Sequence, residues 1–193
     1  MTTALWIVGA YLLGSIPTGL LLGKLYGIDV RSEGSGNIGA TNLYRTVGRK
    51  VGIWTLLGDC LKGFLPVMLA WQLGLGEPLQ AAIGLAAFCG HVFSIFLLFK
   101  GGKGVATALG VYLALAPLAV LGALLVFVLL VAVWRYISLG SIVAAAVMPL
   151  IIFLRPHSNE LLLATVLISL IVIVKHHANI SRLLSGTESK FKA

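Results

Sequence analysis

Apolar residues along this chain gather into long runs rather than into stripes. They fill about Met1–Gly23, Gly52–Leu73, Leu79–Phe99, Val105–Val133, Leu139–Leu154 and Leu161–Val174, and Asp59 and Lys62 are the charges inside them. Runs apolar on every face predict helices that cross a lipid bilayer, not helices laid on a soluble core. Val105–Val133 is too long for one crossing. As a straight helix it would reach about 44 Å, against a hydrocarbon core of about 30 Å. Pro117 stands near its middle, and Ala116-Pro117 can close one helix and open the next.

Charge argues the same way. If the run holds two helices, every Lys and Arg except Arg155 and the intramembrane Lys62 falls on one side. If it holds one, Arg135, Lys175, Arg182, Lys190 and Lys192 cross to the other side and Arg155 joins the first. Because cytoplasmic loops carry the excess of positive charge, the two-helix reading is preferred. The expected fold is an all-α polytopic membrane protein. It is a single domain over residues 1–193 with a bundle of seven transmembrane helices, its N-terminus outside and its C-terminus cytoplasmic. The first positive charge, Lys24, follows the first apolar run, so that run reads as a first span and not as a signal peptide. Ser15, Pro17 and Gly19 are expected to kink it, and Gly19-x-x-x-Gly23 to offer a close-packing face.

Composition agrees, with 59% hydrophobic and 10% charged residues and mean hydropathy +1.04. The net charge of +8 is that of basic cytoplasmic loops and implies no nucleic acid. Cys60 and Cys89 lie in apolar runs as small hydrophobes, and His91, His157, His176 and His177 lack zinc-ligand spacing, so no metal or cofactor is expected. Gly34-x-Gly36-x-x-Gly39 matches a dinucleotide fingerprint, but no strand precedes it.

The longest polar interruption is Gly34–Lys50. It holds glycines, Ser35, Asn37, Thr41, Asn42 and Tyr44, then Arg45, Arg49 and Lys50, with no carboxylate. Bare backbone N–H groups, small hydrogen-bonding side chains and arginine suit an anion. The seven-helix layout puts two more basic clusters on the same side: Lys100-Gly-Gly-Lys-Gly-Val-Ala-Thr107, opening a helix with its positive dipole end, and the tail from Lys175 to Lys190. In the tail, Lys175, Asn179 and Arg182 are spaced to share one helix face. Ser138 and Ser141, near Arg135, close the same end of two helices. Asp59 and Lys62 are three residues apart and read as a structural ion pair, and His91 as a hydrogen-bonded packing residue. An enzyme acting on phosphate-bearing substrates and a phosphate or organic-anion transporter are both open at this point. A transporter, however, expects polar residues near the bilayer midplane, where this chain has few.

Ser35-Gly-Asn-Ile-Gly-Ala-Thr-Asn42 with Arg45, Lys100-Gly-Gly-Lys-Gly-Val-Ala-Thr107, and His176-x-x-Asn-Ile-x-Arg-Leu-x-x-Gly-x-Glu188 resemble the three motifs of the bacterial acyl-phosphate:glycerol-3-phosphate acyltransferases. The resemblance covers the whole chain. It implies a multi-pass enzyme of the bacterial inner membrane, its active site facing the cytoplasm. The implied reaction moves a fatty acyl group from acyl phosphate to the 1-position of glycerol 3-phosphate, giving lysophosphatidic acid and inorganic phosphate. Carried over by position, Ser35, Arg45, Lys103, His176 and Asn179 are the catalytic candidates. Gly36, Asn37, Thr41, Asn42, Lys100, Gly102, Thr107, Arg182 and Glu188 are the substrate-binding ones, and Ser141, outside the motifs, joins them from its place near Arg135. Two histidines stand in tandem, and the spacing to Asn179 assigns the motif position to His176. No histidine has an aspartate five residues on, as in the soluble-type acyltransferases. The expected proton acceptor is therefore a substrate phosphate, with a second pKa of about 6, and the expected part of His176 is donation.

Overall fold

The computed structural model describes residues 2–191; Met1 and Lys192, used above, lie outside the described residues. Every regular element among the described residues is helical. In chain order they are α1 (Thr3–Ser15), α2 (Thr18–Leu25), α3 (Ala40–Thr46), α4 (Arg49–Gln72), α5 (Glu77–Val92), a single 3-10 turn (Ile95–Leu97), α6 (Val105–Leu115), α7 (Pro117–Trp134), α8 (Ile137–Phe153), α9 (Asn159–Lys175) and α10 (His177–Leu184). Large apolar side chains such as Leu118, Leu121, Leu125 and Leu163 face outward, the surface a bilayer covers. Thr3–Leu25, Arg49–Gln72, Glu77–Leu97 and Pro117–Trp134 are long and apolar enough to cross it. Together α9 and α10 reach that length across a 55° bend, and α6 and α8 are shorter apolar helices.

Prolines set two breaks. Ala116, at φ −150° and ψ 60°, separates α6 from α7, where the sequence placed a helix boundary. At Ile16-Pro17 the expected kink is a full interruption between α1 and α2. The break frees carbonyls, and donors meet them: Ser94 Oγ donates to the Ser15 carbonyl at 2.6 Å and Lys62 Nζ to that of Ile16 at 2.9 Å. This satisfies backbone groups that lipid cannot.

Glycines set the helix contacts. A Cβ on Gly14 would fall 2.0 Å from the Ala87 carbonyl oxygen, and one on Gly90 2.2 Å from that of Tyr11, so α1 and α5 touch backbone to backbone. Gly110 and Gly63 do the same for α6 and α4, at 1.9 Å from Cys60 O and 2.2 Å from Thr107 O. Gly19 and Gly23 pack closely against a loop and not against another helix. The close-packing face they were expected to offer is present, and it is covered by Ile38 O and Val30 of the following loop, because α2 turns that side toward its own connection. The tail helix is also shorter than expected. The chain bends at His176, so Lys175 ends α9 and leaves the face of Asn179 and Arg182, its ammonium over the Phe93 ring at 4.8 Å.

Candidate active site

Asn42 builds the first polar loop. Buried at 4% exposure, it donates through Nδ2 to the carbonyls of Val30, Glu33 and Asn37, at 3.2, 3.1 and 2.9 Å, and accepts from the Ser35 amide at 2.9 Å. Its amide is thus spent on its own loop. Asn37 adds a local turn by accepting from Gly39 N at 2.8 Å. Ser35, Thr41 and Arg45 are presented on this frame.

The second loop is fastened to the end of α5, where Gly101 N donates to Val92 O at 3.2 Å and Gly102 N to His91 O at 3.1 Å. Gly104, at φ 84°, takes the left-handed turn that opens α6. Between these fixed points Lys103 reaches Asn179 Oδ1 with its ammonium.

The third part is the tail. Glu188 Oε1 accepts from Ser138 Oγ at 2.7 Å and from Asn179 Nδ2 at 2.6 Å, and Oε2 accepts from Arg182 Nε at 2.7 Å. Arg45 donates to the Ser189 carbonyl at 3.2 Å, and the rings of Tyr44 and Phe191 meet at 5.6 Å. The last described residues therefore cross back over the first loop.

These parts enclose a cavity of about 630 Å3, lined by Ser35, Asn37, Thr41, Asn42, Arg45, Lys103, Ser141, His176, Asn179, Arg182 and Glu188 among others. Of the residues picked from sequence, Gly36, Lys100, Gly102 and Thr107 do not line it. Gly36 turns the chain at φ 68°. Lys100 is exposed before the turn and Gly102 is buried against His91. Thr107 is fully buried in the contact of α6 with α4. Conversely, Asp59, His91, Tyr44 and Phe127 line the cavity, as does Ser138, which the sequence places at this end beside Ser141. The intramembrane charge of Asp59 was the signal for the first of these.

Burial draws Lys103 down to about 8; Glu188 opposes this, and Arg182 and Arg45 add to it. His176 falls to about 4, first through burial, with the Lys103 ammonium adding and the Val172 carbonyl opposing. His176 is therefore neutral near pH 7. Its Nδ1 faces that carbonyl at 2.8 Å, which as a donor leaves Nε2 an acceptor. The expected donation is spent on the backbone. Glu188 is disfavoured as an anion by burial, but its hydrogen bonds from Ser138, Asn179 and Arg182 outweigh this and hold it below the usual carboxylate range.

A second, apolar cavity of about 290 Å3 adjoins the first, sharing Leu56, Val105, Ala106, Phe127 and Ser141 as lining. From there three helices run along it, from Val105 to Tyr112, Phe127 to Val120 and Ser141 to Met148, a rise of about 10.5 Å in each.

A protein-family model described as glycerol-3-phosphate acyltransferase matches residues 4–186. A protein of that name from Trichlorobacter lovleyi is 84% identical over 100% of both chains, and one from Geobacter sulfurreducens is 63% identical over 95% of each. Among solved structures, the chain is similar to PlsY (YgiH), an integral membrane glycerol 3-phosphate acyltransferase. The glycerol 3-phosphate form aligns with a TM-score of 0.94 at 40% identity, over 98% of this chain and 96% of that one. The lysophosphatidic acid form aligns with a TM-score of 0.91 at 40% identity, over 98% and 95%.

Proposed function

The chain belongs to the glycerol-3-phosphate acyltransferase family, and from that premise we propose that its basic cavity is where an acyl group passes from acyl phosphate to the 1-hydroxyl of glycerol 3-phosphate. The protein is a membrane acyltransferase making lysophosphatidic acid, and the transporter reading gives way. One observation carries the assignment of the site: a polar cavity holding Lys103, Arg45 and Arg182 continues into an apolar one. A donor with a phosphate head and a hydrocarbon tail divides itself along that boundary.

The chemistry needs a C–O bond formed from the glycerol hydroxyl to the acyl carbon, the bond from that carbon to the phosphate oxygen broken, and the hydroxyl proton removed. Glu188 is committed to three donors. Burial and the Lys103 ammonium disfavour a proton on His176, and a phosphate monoester, with a second pKa of about 6 in water, can accept one. A substrate phosphate therefore takes the proton, Nε2 of His176 accepts a hydrogen bond, and Lys103 with Arg45 stabilises charge on the departing phosphate. The test is purified protein with labelled glycerol 3-phosphate. Acyl phosphate should yield lysophosphatidic acid and inorganic phosphate in equal amounts, and acyl-CoA should yield none. Product from acyl-CoA alone would remove the donor assignment.

The apolar cavity gives a second expectation. Ala145 lines it away from the shared mouth. Ala145→Phe should lower turnover of long-chain acyl phosphates about tenfold, by the cost of overfilling a packed site, and leave a two-carbon acyl phosphate within about threefold of native. Equal losses for both would place the chain elsewhere.

The proposed arrangement has seven spans in the bacterial inner membrane, N-terminus out and the cavity cytoplasmic. It rests on charge asymmetry and on the break at Ala116. Single cysteines at positions 45, 103 and 182 should then label from the cytoplasmic side alone. Labelling of position 182 from outside would rule out two spans between Val105 and Trp134.

A further inference from the structure

Beneath the loop that carries Lys103, charged groups meet inside the membrane. Asp59 of α4 and His91 of α5 are 2% and 4% exposed. Lys62 Nζ stands 2.9 Å from Asp59 Oδ1 while donating to the Ile16 carbonyl at the break between α1 and α2. His91 Nδ1 faces the same carboxylate oxygen at 3.6 Å, and neither of these two atoms has a hydrogen bond of good geometry among the described residues. Buried polar atoms left this way cost stability, and charges at this depth cost more. Packing gives no reason for the group.

The other side of His91 gives one. A Cβ on Gly101 would fall 2.0 Å from the His91 carbonyl oxygen, and one on Gly102 would fall 2.3 Å from His91 Nε2, with Cε1 and Cδ2 the next atoms it meets. The turn leading into Lys103 thus rests on one residue, its backbone under Gly101 and its ring under Gly102. We propose that Asp59 and His91 are positioning residues for this loop. Asp59, held by Lys62, fixes the imidazole; the imidazole fixes Gly101 and Gly102; and the loop sets where the Lys103 ammonium stands against Asn179. Gly102 is then a glycine because of the His91 ring. The inference rests on the cavity being the acyl-transfer site.

Coupling between substitutions tests it. Asparagine at position 91 keeps an N–H near the place of Nδ1 and removes Nε2 and Cε1. Gly102→Ala alone should lower kcat/KM about 100-fold, the scale of an ångström misplacement, and His91→Asn alone about tenfold. Gly102→Ala added to His91→Asn should cost little further, since Nε2 and Cε1, the two ring atoms that would lie within 3 Å of its Cβ, are gone and only the place of Cδ2, at 3.3 Å, stays occupied. Asp59→Asn, made together with Lys62→Met so that no unpaired charge remains in the membrane, should cost about tenfold and add nothing to His91→Asn. Activity is expressed per folded protein, from thermal midpoint and elution in detergent. Recovery of a poorly folding Gly102→Ala protein by His91→Asn supports the proposal. It is overturned by the same factor for Gly102→Ala in both backgrounds, by loss of the folded protein in both, by native turnover in His91→Asn, or by multiplying losses from the Asp59 pair. Failure of the underlying site reading looks different, namely native turnover in Lys103→Met.

Discussion

Lys103→Met is expected to lower kcat/KM about 1,000-fold while the protein still inserts and folds, because removing one group that stabilises developing charge is worth about 100- to 1,000-fold. Lys103 is half-buried and in contact with Asn179, which Glu188 holds from its other side. Nothing else on the cavity wall occupies that place. The same lysine sets an alkaline limb. With its ammonium at about 8 in the free protein, the charged form prevails below that pH and is lost above it. The native kcat/KM should fall about tenfold per pH unit beyond about 8. In kcat the limb should move upward, because a bound phosphate favours the ammonium. Lys103→Arg keeps its charge at every accessible pH, so its profile should be lower but flat through this range. A limb near pH 8 that survives in Lys103→Arg would assign the titration to another group. Full activity in Lys103→Met would move the chemistry out of this cavity.

The sequence made the helices and the basic end of the bundle readable because lipid imposes one rule on every residue of a span. Charge counting split Val105–Val133, and the break stands at Ala116. Division of labour within the motifs was not readable. Asn42 and Asn37 look like ligands in a string of polar letters. Only the folded loop reveals that Asn42 spends its amide on three carbonyls and one N–H. Thr107 and Gly102 belong to the same glycine-rich string as Lys103, yet one packs against α4 and the other against His91, since a turn sends successive residues in different directions. Spacing suggested one tail helix carrying Lys175, Asn179 and Arg182. Beyond the bend at His176 the tail is tied to distant elements, Asn179 to Lys103 and Glu188 to Ser138, across 76 and 50 residues of sequence that spacing does not show.

Gly110→Ala, a single added methyl group, is expected to reduce folded protein in the membrane more than tenfold. The Cβ would fall 1.9 Å from the Cys60 carbonyl oxygen, with the Cys60 carbonyl carbon and Phe64 N next at 2.8 and 2.9 Å. All three are backbone atoms of α4, so no rotamer change relieves the clash and the helices must separate. Gly63 makes the reciprocal approach, a Cβ there falling 2.2 Å from Thr107 O, and separation would lose that packing too. Overpacking an adaptable core costs about 1–3 kcal/mol; a clash between two backbones exceeds that and consumes much of a total stability of about 5–15 kcal/mol. Gly9→Ala is the control, since nothing lies within 4 Å of its Cβ position, and its yield should equal native. The effect reaches the site because Asp59 precedes Cys60 on α4 and Lys103 stands two residues before α6. Any Gly110→Ala protein that survives should therefore turn over far below native per folded molecule. Native yield and native turnover in Gly110→Ala would mean that α4 and α6 stand farther apart than a bare backbone contact allows.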